Sequence, residues 1–180
     1  MTEEFELESQ RLKAFMLLHR IRELIFRCQD RVVAEFELTT EQYSVLAAMK
    51  YLDTPIRITD IAQWMEHKVN SVSMLVDRMV KAGLLKRIRD LPDRRELRLV
   101  ITRKGEQAFK LANPRVRKLI NEISSPLSSE EINTLIKLLE ILSNKALEHC
   151  HPEANAQATV AYETNEVSSL LKRVSKYISK

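Results

Sequence analysis

Apolar positions along this chain recur mostly at helical spacing, and in one stretch they alternate. From about Leu7 to Glu35, Leu17, Ile21, Leu24 and Cys28 form one row with Leu18, Ile25 and Val32 beside it, which predicts a long amphipathic helix. Leu38-Thr39-Thr40-Glu41-Gln42-Tyr43 then reads as a capping box, with Thr39 as N-cap, Gln42 at N3 and a staple of Leu38 against Tyr43. A second helix follows to about Leu52. Asp53-Thr54-Pro55 breaks it, and Ile56-Arg57-Ile58 reads as one short strand. Thr59 can cap a brief third helix, Asp60 to Met65. After a turn at Glu66-His67-Lys68, a fourth helix runs from Val69 to Ala82 with Val69, Val72, Leu75, Val76 and Met79 inward. Gly83 ends it by taking the left-handed conformation, with Leu84 packing back on Met79 in a Schellman cap.

Leu84 to Arg89 and Glu96 to Thr102 flank the polar tip Asp90-Leu91-Pro92-Asp93-Arg94-Arg95, and Leu97, Leu99 and Ile101 alternate with Glu96, Arg98 and Val100. That is a β-hairpin with a charged tip. Thr102 caps a fifth helix, in which Pro114 should produce a kink. Ser128 and Glu131 repeat the capping box ahead of a sixth helix carrying Ile132, Leu135, Ile136, Leu139 and Leu142 to about Leu147. Residues 149–164 read as a linker. In 165–180, Val167, Leu170, Leu171, Val174, Tyr177 and Ile178 form an amphipathic stripe that cannot be buried alone, for which docking on neighbouring helices is the plain use.

Composition narrows the class. The 180 residues include only 2 Gly, against a usual ~7%, so a β-sandwich is disfavoured and neither dinucleotide nor P-loop phosphate cradle can be built. Apolar runs fall short of the ~20 residues of a membrane span. The acidic start Met1-Thr2-Glu3-Glu4 is unlike a secretory signal, so the cytoplasm is the expected compartment. Net charge is +4, yet residues 66–118 hold 15 Lys and Arg against 6 Asp and Glu. Such asymmetry is the electrostatic footprint of a nucleic-acid-binding surface.

Two short helices, a tight turn and a hairpin in this order make a mainly α fold, a winged helix-turn-helix with a small β-hairpin wing. Ala62 lets the two short helices approach. The fourth helix leaves Asn70, Ser71, Ser73, Met74, Asp77 and Arg78 outward, mostly short polar side chains that admit base edges: Asn suits adenine, Met a thymine methyl, Arg guanine or phosphate. Lys68, Lys86, Arg87 and Arg89 are candidate phosphate contacts, and Arg94 and Arg98 extend the basic hairpin. Asp77 is expected to orient Arg78 or another basic residue.

These residues resemble the MarR family of bacterial transcription regulators over roughly Leu7 to Leu147. The resemblance is carried by Leu38-Thr39-Thr40-Glu41-Gln42 with Val45-Leu46, then Ile61-Ala62, Val72-Ser73, Asp77-Arg78-Met79 and Gly83-Leu84. Asp93-Arg94-Arg95 and Thr102-Arg103-Lys104-Gly105 complete it. It implies a homodimer in which residues 1–148 form one winged helix-turn-helix domain, its interlocked terminal helices making a helical dimerisation region, with a DNA-binding core at about 38–103. It further implies double-stranded DNA with a near-palindromic operator as partner, repression of neighbouring genes, and release by a small-molecule effector. Arg95 matches the family's wing arginine for the minor groove, and Asp93 its salt-bridge partner. Glu66-His67 stands where the family tends to a Gly-containing turn, Met74 where relatives place a basic or polar residue, and the tail after His149 has no counterpart.

Other chemistry is scarce. Cys28 lies on an apolar stripe without a basic neighbour and reads as an inert thiol rather than a redox switch. His149-Cys150-His151 are adjacent and lack a spaced fourth ligand, so no metal or other cofactor is expected. Trp64 reads as core of the third helix. No nucleophile, base or carboxylate pair stands out, so an enzyme is not expected. The alternative is a winged-helix module that binds an acidic protein partner without specific DNA binding.

Overall fold

The computed structural model describes residues 3–52, 55–89 and 97–150. In chain order these form α1 (Glu3–Ala34), α2 (Thr40–Tyr51), α3 (Ile58–Trp64), α4 (Val69–Lys81), β1 (Leu85–Arg89), β2 (Leu97–Ile101), α5 (Arg103–Ser124) and α6 (Ser129–Cys150). The core lies under α2, α3 and α4, where Leu46, Met49, Ile61, Val72, Val76 and Met79 are buried, and is closed by Leu85 and Leu99 of the hairpin and Phe109 of α5. Only the last turn of α1 reaches it, through Val33. Asp30 fastens that end of α1 to α2, accepting hydrogen bonds from the backbone N–H and hydroxyl of Thr40, both at 3.2 Å.

Local signals set most boundaries. At Thr39 both arms of the capping box form: its hydroxyl accepts from Gln42 N at 3.2 Å, and Gln42 Oε1 accepts from Thr39 N at 3.0 Å. Ser128 and Glu131 do the same before α6, with Ser128 N donating to the Glu131 carboxylate at 2.8 Å and Glu131 N to the Ser128 hydroxyl at 3.3 Å. Hydrogen bonds from Ser128 hold the Glu131 carboxyl below its ordinary value. α6 continues through His149 and Cys150, the first residues of the expected linker. α5 runs through Pro114 as one element. Beside that proline, Asn113 accepts from the Tyr43 hydroxyl at 2.9 Å in the buried seam between α2 and α5.

Three expectations are corrected. Ile56-Arg57-Ile58 is not a strand: Ile56 alone forms an antiparallel bridge to Leu99, and Ile58 already belongs to α3. The N-cap of α3 is Arg57 rather than Thr59, because the Asp60 carboxylate takes the Arg57 backbone N–H at 3.1 Å and its guanidinium at 2.9 Å. Val69, assigned to the inward stripe of α4, is 47% exposed, since the first turn of that helix projects past the core. The tip 90–96 and the segment 151–180, with its expected linker and helix, lie outside the described residues.

α1 and α6 carry much apolar surface that the other described residues do not cover. No residue of α6 is buried, and Phe15, Leu17, Ile21, Leu135, Leu139 and Leu142 are all exposed. Among the described residues, no helix is long and apolar enough to cross a membrane.

Candidate nucleic-acid interface

The second helix of the helix-turn-helix is α4. Its approach is set by a turn in which Glu66 adopts a left-handed φ of 52°, a conformation a non-glycine residue holds only where its surroundings impose it. The His67 N–H donates to the Ala62 carbonyl at 2.9 Å across that turn. Buried Ala62 removes the side-chain bulk that would otherwise separate α3 from α4. At the other end, Gly83 has a φ of 72°. Leu84 N reaches Met79 O at 2.9 Å and Gly83 N reaches Val80 O at 3.0 Å, the two hydrogen bonds of a Schellman cap.

With Val72, Leu75, Val76 and Met79 turned inward, the opposite face of α4 presents Asn70, Ser71, Met74 and Arg78 to solvent, with Ser73 and Asp77 half-buried at its margin. Lys68 is its exposed N-cap. Six of the sequence-predicted site residues thus share one helix and its cap. The hairpin beside them is antiparallel, pairing Leu85 with Ile101, Arg87 with Leu99 and Arg89 with Leu97. Lys86 and Arg87 are exposed on β1, while Arg98 is half-buried on β2 opposite Ile88. Arg89 closes β1, and Asp93, Arg94 and Arg95 fall in the tip outside the described residues.

An ion pair joins α4 to the hairpin. Asp77 Oδ1 lies 2.6 Å from Arg87 Nη2, so the acidic residue on the otherwise polar face orients an arginine of the hairpin rather than the adjacent Arg78. Thr102 ties the same parts at their base. Its hydroxyl donates to the Gly83 carbonyl at 2.6 Å and accepts from the Gly105 N–H at 3.1 Å, while Thr102 N donates to Leu84 O at 3.1 Å. Lys104 adds a hydrogen bond of 3.0 Å to the Ala82 carbonyl at the C-terminus of α4, where a cation is favoured by the helix dipole. Sequence reasoning quoted Lys104 only within the Thr102-to-Gly105 run, because its partner lies 22 residues back and local spacing does not encode that contact.

A cavity of about 580 Å³ opens between α1, α2 and the α3–α4 turn, lined by Arg22, Phe26, Ser44, Trp64, Met65 and His67 among others. These residues are spread over more than forty positions, so no local motif announces them. Trp64 is partly buried against the core, with its ring 6.3 Å from that of Tyr51. Cys28 is half-buried and Cys150 exposed, both free. Among the described residues, no three His, Cys, Asp or Glu side chains converge as a metal site.

Comparison with known proteins agrees with this geometry. Residues 36–96 match the model of the MarR family. The transcriptional activatory protein BadR of Rhodopseudomonas palustris is 26% identical over 136 residues, 73% of this chain and 78% of that protein. The fold is shared with a mutant MarR from E. coli complexed with operator DNA, at TM-score 0.68 and 19% identity over 74% of this chain and 95% of that one. It is also shared with CouR from Rhodococcus jostii RHA1 bound to p-coumaroyl-CoA, at TM-score 0.64 and 21% identity over 70% of this chain and 88% of that one. A second relative, PecS of Dickeya dadantii, 29% identical over 127 residues, 68% of this chain and 75% of that protein, is likewise named a transcriptional regulator.

Proposed function

We propose that this chain is a MarR-family winged helix-turn-helix transcriptional regulator, the family whose model residues 36–96 match, and that it is a cytoplasmic homodimer that binds a near-palindromic operator and represses neighbouring genes. The observation that carries the reading is that Lys68, Asn70, Ser71, Met74 and Arg78 are exposed on α4 and its cap while Lys86 and Arg87 are exposed on β1, with the two elements joined by the Asp77–Arg87 ion pair. Lys68, Lys86, Arg87 and Arg89 would hold phosphates and so fix the register, while Asn70, Ser71, Ser73, Met74 and Arg78 would meet or neighbour base edges. Arg94, Arg95 and Arg98, with Asp93 orienting, would extend the contact to the minor groove. A second copy supplies what α1, α5 and α6 lack, a cover for their exposed apolar rows. The operator complex of the E. coli relative supports the DNA reading.

A small-molecule effector would occupy the cavity between α1, α2 and the α3–α4 turn. Its wall includes Met65 and His67 of the turn that sets the pose of α4, so a ligand wedged there would shift α4, together with the hairpin and the start of α5 to which it is tied, relative to α1. The ligand-bound state of CouR supports effector control in a protein of this fold. The test is selection of bound genomic fragments at defined salt, followed by titration of the best fragment. Tight, salt-dependent and sequence-selective binding to DNA near its own gene is expected, with loss of transcription from that promoter. Binding equal for all fragments refutes the operator reading, and raised transcription replaces repression by the activation named for BadR.

A further inference from the structure

Two exposed side chains set α4 apart from the elements around it. Among the described side chains between residues 27 and 110, Val69 and Met74 are the large hydrophobic ones left exposed, at 47% and 63%. The other exposed apolar residues lie on α1, on α5 and α6, and in the turn between those two, the rows that a second copy would cover. Val69 and Met74 instead stand in the first two turns of α4, Val69 to Val76, which contain no Arg or Lys. At about 100° per residue, Asn70 and Met74 fall within about 30° of the line directly opposite the buried side chains Val72, Leu75, Val76 and Met79. Asp77 shares that line, with its carboxylate held by Arg87.

We propose that Met74, with Val69 at the leading end of the helix, reads the C5-methyl groups of thymines in the major groove of each half-site. The proposal rests on the operator reading and adds what that surface selects, a core of A·T pairs. Three features choose this occupant. The thymine methyl is the apolar group that base pairs present in the major groove, where the other distinguishing groups are hydrogen-bond donors and acceptors. Guanine is most often read by Arg or Lys, and the leading residues of a recognition helix are the ones that meet base edges, so a leading stretch without a cation favours A·T over G·C. Asn70, on the same line as Met74, suits the adenine opposite such a thymine. Finally, the exposed cations Lys68, Lys86 and Arg87 flank the two apolar residues, which fits a groove walled by phosphates and not the charge-depleted core of a protein interface. The unbranched Met side chain can adjust to the methyl's position.

Replacing thymine by uracil removes this methyl and keeps every hydrogen-bonding group, so it isolates the contact. The best-bound genomic duplex is remade with uracil at one thymine position at a time, and each is titrated with the full-length protein at fixed salt. One or two positions in each half-site should lose about fourfold in affinity, the worth of burying one methyl group. At those positions Met74→Ser or Val69→Ser should make the uracil and thymine duplexes equal, with the salt slope unchanged because no charge is altered. The uracil series on the unaltered protein stands whether or not a variant folds. Equal affinity for every uracil duplex overturns the proposal, as does a uracil penalty that survives both serine substitutions; in either case selective binding of the parent duplex leaves the operator reading standing. An unaltered protein that binds all fragments alike refutes the operator reading, and the methyl contact with it.

Discussion

Replacing Gly105 by alanine sets two physical arguments in opposition. Gly105 is the third residue of α5, and by helix propensity alone Ala should be better there by up to ~1 kcal/mol. Its surroundings reverse the sign. A Cβ at this position would sit 2.3 Å from the Leu84 carbonyl oxygen and 2.8 Å from Ile101 Cγ2, so one side must retreat by about an ångström to restore ordinary contact. The carbonyl cannot do so freely, because it accepts the Thr102 N–H at 3.1 Å and its own residue closes the cap of α4. Overpacking of this kind costs ~1–3 kcal/mol, and loosening the Thr102 cap ~1 kcal/mol more. Gly105→Ala is therefore expected to destabilise the protein by ~1–3 kcal/mol net of propensity. Urea unfolding at one fixed protein concentration measures this, concentration being held because the proposed dimer would contribute to apparent stability. A variant as stable as the parent, or more so, refutes the packing argument. Gly83→Ala is the companion case, since nothing lies within 4 Å of its Cβ position. Its cost of ~1–2 kcal/mol should come from the left-handed backbone alone.

Four further outcomes are expected. Asp77→Ala removes the partner of Arg87 and should hold or raise affinity for random DNA while narrowing operator preference by about tenfold, ~1.4 kcal/mol, in competition titrations; an unchanged preference would show that the ion pair does not position the wing. Lys86→Ala should weaken all sequences alike and flatten the salt slope by about one unit, whereas Arg95→Ala should cost ~1–3 kcal/mol on the operator; equal salt slopes for Lys86→Ala and the parent would remove it from the phosphate contacts. Tyr43→Phe leaves the buried Asn113 carbonyl without its donor and should cost ~1–3 kcal/mol in unfolding; no change would mean that another group replaces the hydroxyl. At Asp60, burial raises the carboxyl pKa, but hydrogen bonds from the Arg57 side chain and backbone and its charge outweigh this and leave it below 3.8. A depressed acid stabilises the fold above its unfolded value and loses that contribution as pH falls through the folded one, so stability curves of the parent and Asp60→Asn should converge below about pH 3.8. Parallel curves would exclude the linkage.

What could be read from the sequence is what closes within a few residues. Thr39 with Gln42, Ser128 with Glu131, and Gly83 with Met79 and Val80 each complete their hydrogen bonds inside one turn, so residue types at fixed offsets disclose them. Arg57 escaped because Ile-Arg-Ile alternates like a strand, while Asp60 three residues on claims its N–H for a helix start. Val69 escaped for another reason: helical spacing shows which side of α4 it is on, but not that the core ends one turn later. The Asp77–Arg87 pair and the cavity under the α3–α4 turn depend on distant segments meeting, which periodicity does not encode. Asp77 could be assigned a basic partner from its charge, but only the pose of the hairpin selects Arg87.

The Thr102 hydroxyl has a mechanical consequence. By gripping Gly83 and Gly105 together it unites the tail of α4, the root of the hairpin and the first turn of α5 in one node. α5 then acts as the shank of a tool whose head cannot swivel on it. A two-fold pair of such tools works as a caliper: tilting the shanks changes the gap between the heads without reshaping either one. In the proposed dimer, the proposed effector would leave each head's fit to its half-site intact and act by setting the caliper to a span that B-form DNA does not offer.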